Sequence, residues 1–218
     1  MSAAFARWNG RAIRAVILDF GEVLSHPPAP ETIASMAKLF RLTPEKFREF
    51  YYAERYPYDR GEISGEEYWR TIAKDAGVSL LPEQIEWLRR TDVEMWSEVN
   101  PAMLHWAAEL RASGLLTAVL SNMHADLAQA VRSNAAWIEN FDCGVLSVEL
   151  GLAKPDPGIF QHCLECLKVG PSEAIFIDDK ERNTRAAEAV GMVAICADTP
   201  RAIREQLKAA GWTGPLPE

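Results

Sequence analysis

The chain has 218 residues, with 31 Asp and Glu against 23 Lys and Arg for a net charge of -8. With 48% hydrophobic and 25% charged residues it has the balance of a globular protein of one large domain, or one domain with an insertion. The acidic total excludes a general nucleic-acid-binding surface, and no apolar run approaches the ~18–20 residues of a membrane helix. The segment Met1 to Trp8 lacks the apolar core of a signal peptide, so a cytoplasmic location is expected.

Taken in chain order, Ala15-Val16-Ile17-Leu18 is a short β-branched run ending at Asp19, the pattern of a buried parallel strand. From about His26 to Trp96 no strand is predicted. Thr43-Pro44 reads as an N-cap with a first-turn proline, Ser64 to Glu67 has the S-x-x-E form of a capping box, and Leu81-Pro82 opens another helix. This stretch exceeds one crossover helix and predicts an inserted helical cap over 26–96. Its hinges fall near Pro27–Pro30 and Ser97–Pro101.

A helix from Pro101 is stopped by Gly114, and further strands are predicted at 116–120, 144–148, 174–177 and 193–196. Helical spacing over 155–167 and 183–190 alternates with them. The fold class is therefore α/β, with a doubly wound, Rossmann-like parallel sheet core over 1–25 and 97–218 and a small α-helical cap between. Residues 214–218 read as a tail. Cys143, Cys163, Cys166 and Cys196 are too few for a disulfide scaffold, and Cys163-x-x-Cys166 sits in a helical pattern as core packing.

In an open parallel sheet, ligands bind beyond the carboxyl ends of the strands. Those ends carry Asp19, Ser121-Asn122 and Asp178-Asp179, and a nearby loop carries Lys154 before Pro155. A carboxylate can attack phosphorus, further carboxylates can hold magnesium, and lysine and hydroxyl groups can hold the phosphoryl oxygens. The set suits phosphoryl transfer.

Four segments carry a family resemblance. Val16 to Leu24 resembles the first motif of the haloacid dehalogenase superfamily, Leu120-Ser121-Asn122 the second and Gly151 to Asp156 the third. Phe176-Ile177-Asp178-Asp179 with Asn183 through Met192 resembles the fourth. The resemblance implies Asp19 as nucleophile, with Mg2+ held by Asp19, the Gly21 carbonyl, Asp179 and, in support, Asp178. Ser121 and Asn122 would contact the phosphoryl group of a small phosphorylated metabolite, and Lys154 would balance its charge. The family's usual D-x-D has Gly21 at its second Asp, so the general acid and base is missing. The segment is similar to a D-x-G-x-V branch that includes sugar-phosphate phosphatases and the amino-terminal domains of bifunctional epoxide hydrolases. Two alternatives stand beside a phosphatase: a metal-independent 2-haloacid dehalogenase, and a binding protein with a weakened site.

The remaining candidates have bland readings. Glu22 would point away from Asp19 on an extended segment, and His26 suits the hinge. His124 follows the second motif and could face the site, whereas His105 and His162 read as structural. Tyr51, Tyr52, Tyr56, Tyr58 and Trp69 suit helix packing, a few of them lining the pocket. Asp59 to Glu62 reads first as a turn between cap helices, and the family resemblance implies a second reading in which it faces the active site.

Overall fold

The computed structural model describes residues 5–134 and 137–218. A hairpin that the hydrophobic pattern does not announce comes first: β1 (Ala6–Trp8) pairs antiparallel with β2 (Arg11–Ile13). Asn9 and Gly10 both have positive φ at its two-residue turn, a geometry those residue types tolerate. β3 (Ala15–Leu18) is buried along its whole length. Five helices follow: α1 (Pro30–Leu39), α2 (Pro44–Ala53), α3 (Arg55–Asp59), α4 (Gly65–Asp75) and α5 (Pro82–Trp96). Thr43 Oγ1 accepts from Lys46 N, and Ser64 and Glu67 exchange both bonds of a capping box.

The chain then alternates through α6 (Pro101–Ala112), β4 (Leu116–Ser121), α7 (Ala125–Asn134), β5 (Cys143–Leu146), α8 (Ser147–Leu150) and α9 (Pro157–Leu167). It ends with β6 (Ala174–Asp178), α10 (Glu181–Val190), β7 (Val193–Cys196) and α11 (Pro200–Ala209). The parallel sheet has the order β5-β4-β3-β6-β7. Strand order reverses at β3, which makes its carboxyl end the switch point where ligands of such sheets bind.

Side-chain alternation divides the core into two layers. Val16, Leu18, Val119, Ile175 and Ile177 pack with α6, α11 and Trp106 on one face. Ala15, Ile17, Leu120, Ala174 and Phe176 pack with α9 and Ala187 of α10 on the other. Each large side chain removed from water in this way contributes ~1.5–3 kcal/mol. The cap helices bury a separate cluster that includes Phe40, Phe47, Tyr51, Tyr68, Trp69 and Leu88. Trp96, the last residue of α5, packs with Phe20 and Val23 in the sheet layer rather than in that cluster.

Three expectations are corrected. The residues after Gly214 are not a free tail, because Pro215 O accepts from the Trp106 and Trp212 indoles and Pro217 is buried. Cys166 is bonded to Cys143 of β5 across the sheet–helix contact, while Cys163 is a buried free thiol. The strand expected to reach Val148 stops at Leu146, where the Ser147 hydroxyl accepts from Met123 N and donates to Asp59 O, drawing the chain out of the ladder.

Candidate active site

The carboxyl ends of β3, β4 and β6 bring the expected residues together. Asp19 follows β3; its N–H donates to Ile177 O of β6 at 2.9 Å, and its carboxylate accepts from Phe20 N at 2.6 Å. Lys154 comes from the loop before α9 and is buried. Its Nζ lies 2.7 Å from both Asp19 Oδ1 and Asp178 Oδ2. Asn122 holds this lysine by its backbone: Nδ2 donates to Lys154 O at 2.9 Å, and Lys154 N donates to Oδ1 at 2.7 Å. Asn122 is thereby a positioning residue for Lys154. Ser121 is buried at the end of β4 and lines the same cavity.

Asp178 has both oxygens in use, accepting from Lys154, from Asn183 Nδ2 and from Lys180 N. Asp179 is different, for its buried Oδ1 has no hydrogen-bond partner. One oxygen each of Asp19, Asp178 and Asp179 lies within 4.8 Å of the others. Three hard oxygen donors, one of them orphaned in a buried position, fit a divalent cation such as magnesium.

Charge in the cluster is finely balanced. Burial pushes the Asp19 carboxyl up to about 7, against the pull of the Lys154 ammonium and with repulsion from Asp178. Burial also acts to raise Asp178, but Lys154 and the bonds from Lys154, Lys180 and Asn183 prevail and hold it below the ordinary carboxylate range. Asp179 is raised by burial. Burial would lower Lys154, yet Asp178 and Asp19 outweigh it and keep the ammonium charged.

The turn after Asp19 explains the departure at Gly21. Phe20–Leu24 forms one π-helical turn in which Gly21 has φ -63 and Glu22 has φ 61. The left-handed residue is therefore Glu22, so the backbone does not require glycine at 21. A Cβ at 21 would stand 3.5 Å from Trp96 Cζ3. The indole of Trp96 occupies the space beside Asp19 that a longer side chain at 21 would claim.

Above these groups is a cavity of ≈ 400 Å³. Asp19, Gly21, Ser121, Asn122, Lys154 and Asn183 form its floor, and Tyr51, Tyr52, Arg55, Tyr56, Asp59 and Trp96 its cap wall. Lys180 and Arg182 stand at the core side. Three cap tyrosines thus line the cavity, whereas Tyr58 and Trp69 pack inside the cap. Glu22 and His26 do not line it; His26 borders a second cavity with Glu31, Trp87 and Glu98. His124 is not at the site either. It is buried against Tyr58, with ring centroids 4.4 Å apart, and burial lowers it well below its usual value.

Sequence reasoning missed the polar network that supports the cap wall. Arg55 pairs with Asp59 at 2.9 Å and with buried Asp92 at 3.0 Å. Tyr51 donates to Asp92 at 2.6 Å and accepts from Trp96 Nε1 at 3.0 Å. The one sequence signal was the i, i+4 spacing of Arg55 and Asp59, which also describes any exposed helix pair. Asp92 carries no local signal at all.

A family model of the haloacid dehalogenase-like hydrolases matches residues 13–191, and the chain belongs to that family. It is a hydrolase by that membership. It is 34% identical over 216 residues to mouse acyl-CoA dehydrogenase family member 10, a match covering 93% of this chain and 20% of the mouse protein; the chain spans about a fifth of that relative. It is 27% identical to the sesquiterpene phosphatase AstK of Aspergillus oryzae, over 84% of this chain and 88% of the relative. Among solved structures, a haloacid dehalogenase family enzyme variant from Bacteroides thetaiotaomicron, in complex with magnesium and inorganic phosphate, superposes with TM-score 0.65. That match has 25% identity and covers 84% of this chain and 93% of the other. No helix of the described residues is long and apolar enough to cross a membrane.

Proposed function

We propose that the chain hydrolyses the phosphate monoester of a small metabolite, with Mg2+, through an aspartyl-phosphate on Asp19. The observation that carries this is the Lys154 ammonium 2.7 Å from both Asp19 and Asp178, beside a third carboxylate with an orphaned oxygen. Phosphatase and magnesium–phosphate relatives support the same reading.

Asp19 attacks phosphorus in line with the leaving oxygen. Lys154 favours the ionised form of Asp19 against the burial that opposes it, and stands beside the phosphoryl oxygens as charge develops on them. The Ser121 hydroxyl binds one of those oxygens, and Asn122 holds Lys154 in register. Asp19, the Gly21 carbonyl and Asp179 would ligate the cation, with Asp178 bracing the set through Lys154 and Asn183. A magnesium ion there supplies charge neutralisation between the anionic nucleophile and the anionic substrate. Cap helices cover the floor and exclude bulk water.

A screen of phosphorylated metabolites for phosphate release, with magnesium and with chelator, tests the reading. Phosphate release that requires the metal is expected. Halide release from 2-haloacids in excess chelator would overturn it in favour of dehalogenase chemistry. The reading keeps the cytoplasmic location expected from sequence.

A further inference from the structure

With glycine at 21, the cavity floor holds a nucleophile but no group to protonate the departing oxygen or to deprotonate the attacking water. Among the described residues, the walls contain one carboxylate. Among the described residues, Asp19 and Asp59 are the carboxylates lining the cavity, and no histidine lines it. Asp59 closes α3 on the cap side and is buried. Its Oδ1 accepts from Arg55 Nε at 2.9 Å, while its backbone oxygen accepts from the core Ser147 hydroxyl. The residue is thus held from both domains, and among the described residues no hydrogen bond reaches its second carboxylate oxygen.

We propose that Asp59 is the general acid and base of this enzyme, supplied by the cap in place of the group absent at Gly21. This rests on the phosphatase reading above. In the first step the electron pair of Asp19 forms a bond to phosphorus. The bond from phosphorus to the ester oxygen breaks, its electron pair stays on that oxygen, and the Asp59 carboxyl gives it a proton. In the second step water adds to phosphorus and loses a proton to the Asp59 carboxylate. The Asp19–phosphorus bond breaks, returning its electrons to Asp19 and releasing phosphate.

The surroundings suit the task. Burial raises the Asp59 carboxyl above its ordinary value and Asp92 adds to this, while Arg55 and the Lys180 ammonium across the cavity pull it down. Burial thus favours the protonated form that a general acid must carry, and the cations favour the carboxylate that a general base must carry. Tyr51 is a poorer donor, because burial holds its phenol well above the usual range and its hydroxyl is committed to Asp92.

The test compares Asp59→Asn with wild type on two probes in magnesium: p-nitrophenyl phosphate, whose phenol leaves unaided, and a simple alkyl phosphate. The amide keeps an acceptor for Arg55, so folding is conserved, and circular dichroism checks it. Acid–base assistance is worth ~10²–10⁴-fold, so alkyl phosphate kcat/KM should fall ~10²-fold or more while the aryl ester changes only a few-fold. The limb of the pH profile that belongs to the acid should vanish with it. Equal losses on both probes, or an unchanged leaving-group dependence and pH profile, would overturn the role of Asp59 and leave the phosphatase reading intact. A wild type that releases phosphate from neither ester overturns both.

Discussion

The core and the cap place their polar groups by different physics. In the core, Asp19, Ser121 and Asp178 sit at the ends of parallel strands, where backbone ladders fix them to one edge. In the cap, Tyr51, Arg55, Asp59, Asp92 and Trp96 come from three helices and meet through side-chain packing. The floor of the site is therefore a property of the core, while the wall that would face a leaving group exists only when the cap helices are assembled and seated. The proposed nucleophile and metal ligands belong to one region, and the proposed proton-transfer group to the other.

The sharpest way to break this division is to remove a group from the floor. Asp19→Asn should lower turnover by ~10⁴-fold or more, the scale on which loss of a covalent nucleophile is felt. Asp179→Asn should cost nearly as much through lost metal binding, and isothermal titration with Mg2+ should register it directly. If Asp179→Asn binds magnesium like wild type, the orphaned Oδ1 is not a ligand and the floor has been assigned wrongly.

This division also marks what the sequence could show. Asp19, Ser121 and Asp178 were legible because a polar residue at the end of a buried apolar strand run has one place to go, the sheet edge, whereas Lys154, on a loop, was legible through the family resemblance. The two sheet layers follow from the same alternation. Asp59 was legible only through the family resemblance, which let the 59–62 segment face the site: a charged residue at a short helix end, before Arg60-Gly61, has the local chemistry of a turn, and packing puts it in the cavity. Asp92 lies within a helix whose pattern shows only one more exposed charge, yet it is fully buried. The β1–β2 hairpin escaped because its strands are three residues long, whereas α11 opens on Thr199-Pro200, the same signal that marks α2, and was legible. The Cys143–Cys166 bond joins residues 23 apart, a pairing that spacing cannot single out.

The next effect tests the cap's half. Asp92→Ala removes a buried carboxylate on which Arg55, Tyr51 and, at 3.3 Å, His124 converge. Breaking a buried ion pair by removing one partner costs ~3–5 kcal/mol, and Asp59 retains Arg55 only in part. Urea unfolding should show that loss, with early proteolysis between residues 30 and 96. Magnesium binding on the floor should persist. Loss of metal binding in step with the cap would show that the two regions are one cooperative unit.

A smaller effect belongs to the floor and reads out in stability. The Asp19 carboxyl stands near 7 in the folded chain against an ordinary 3.8, so the folded state holds a proton that the unfolded state has released between about pH 4 and 7. Folding stability of the metal-free chain should therefore fall as pH rises through that window, by ~2–4 kcal/mol. Asp59, Asp92 and Asp179 are raised and act in the same direction, whereas the lowered Asp178 opposes them. Denaturant melts from pH 5 to 8 in chelator should show the decline, and Asp19→Asn should flatten it. Magnesium should restore stability above pH 7. A metal-free chain equally stable at both ends would contradict the balance of charge described for the floor.

The smallest effect lies on the seam between the regions. Arg89 of α5 makes a fork to Asp126 of α7, with Nε and Nη2 each 2.9 Å from a carboxylate oxygen. Gly65 leaves room for it, since a Cβ there would come within 2.9 Å of Arg89 Nε. Both side chains are about a third exposed, so solvent screens the pair and Arg89→Ala should cost at most ~1 kcal/mol of stability. The same ~0.5–1 kcal/mol taken from the closed cap is ~2–5-fold in the closure equilibrium, and KM should rise by that factor. Raising salt should reproduce this in wild type and do little to the variant, because the screened interaction is already gone. Arg89→Lys should resemble Arg89→Ala more than wild type, as an ammonium keeps the charge but not the two-pronged fit. If KM is indifferent to both substitutions while salt still raises it, closure is governed by the Arg60–Gly151 and Ser147–Asp59 contacts instead, and the seam is held on the side nearer the proposed acid.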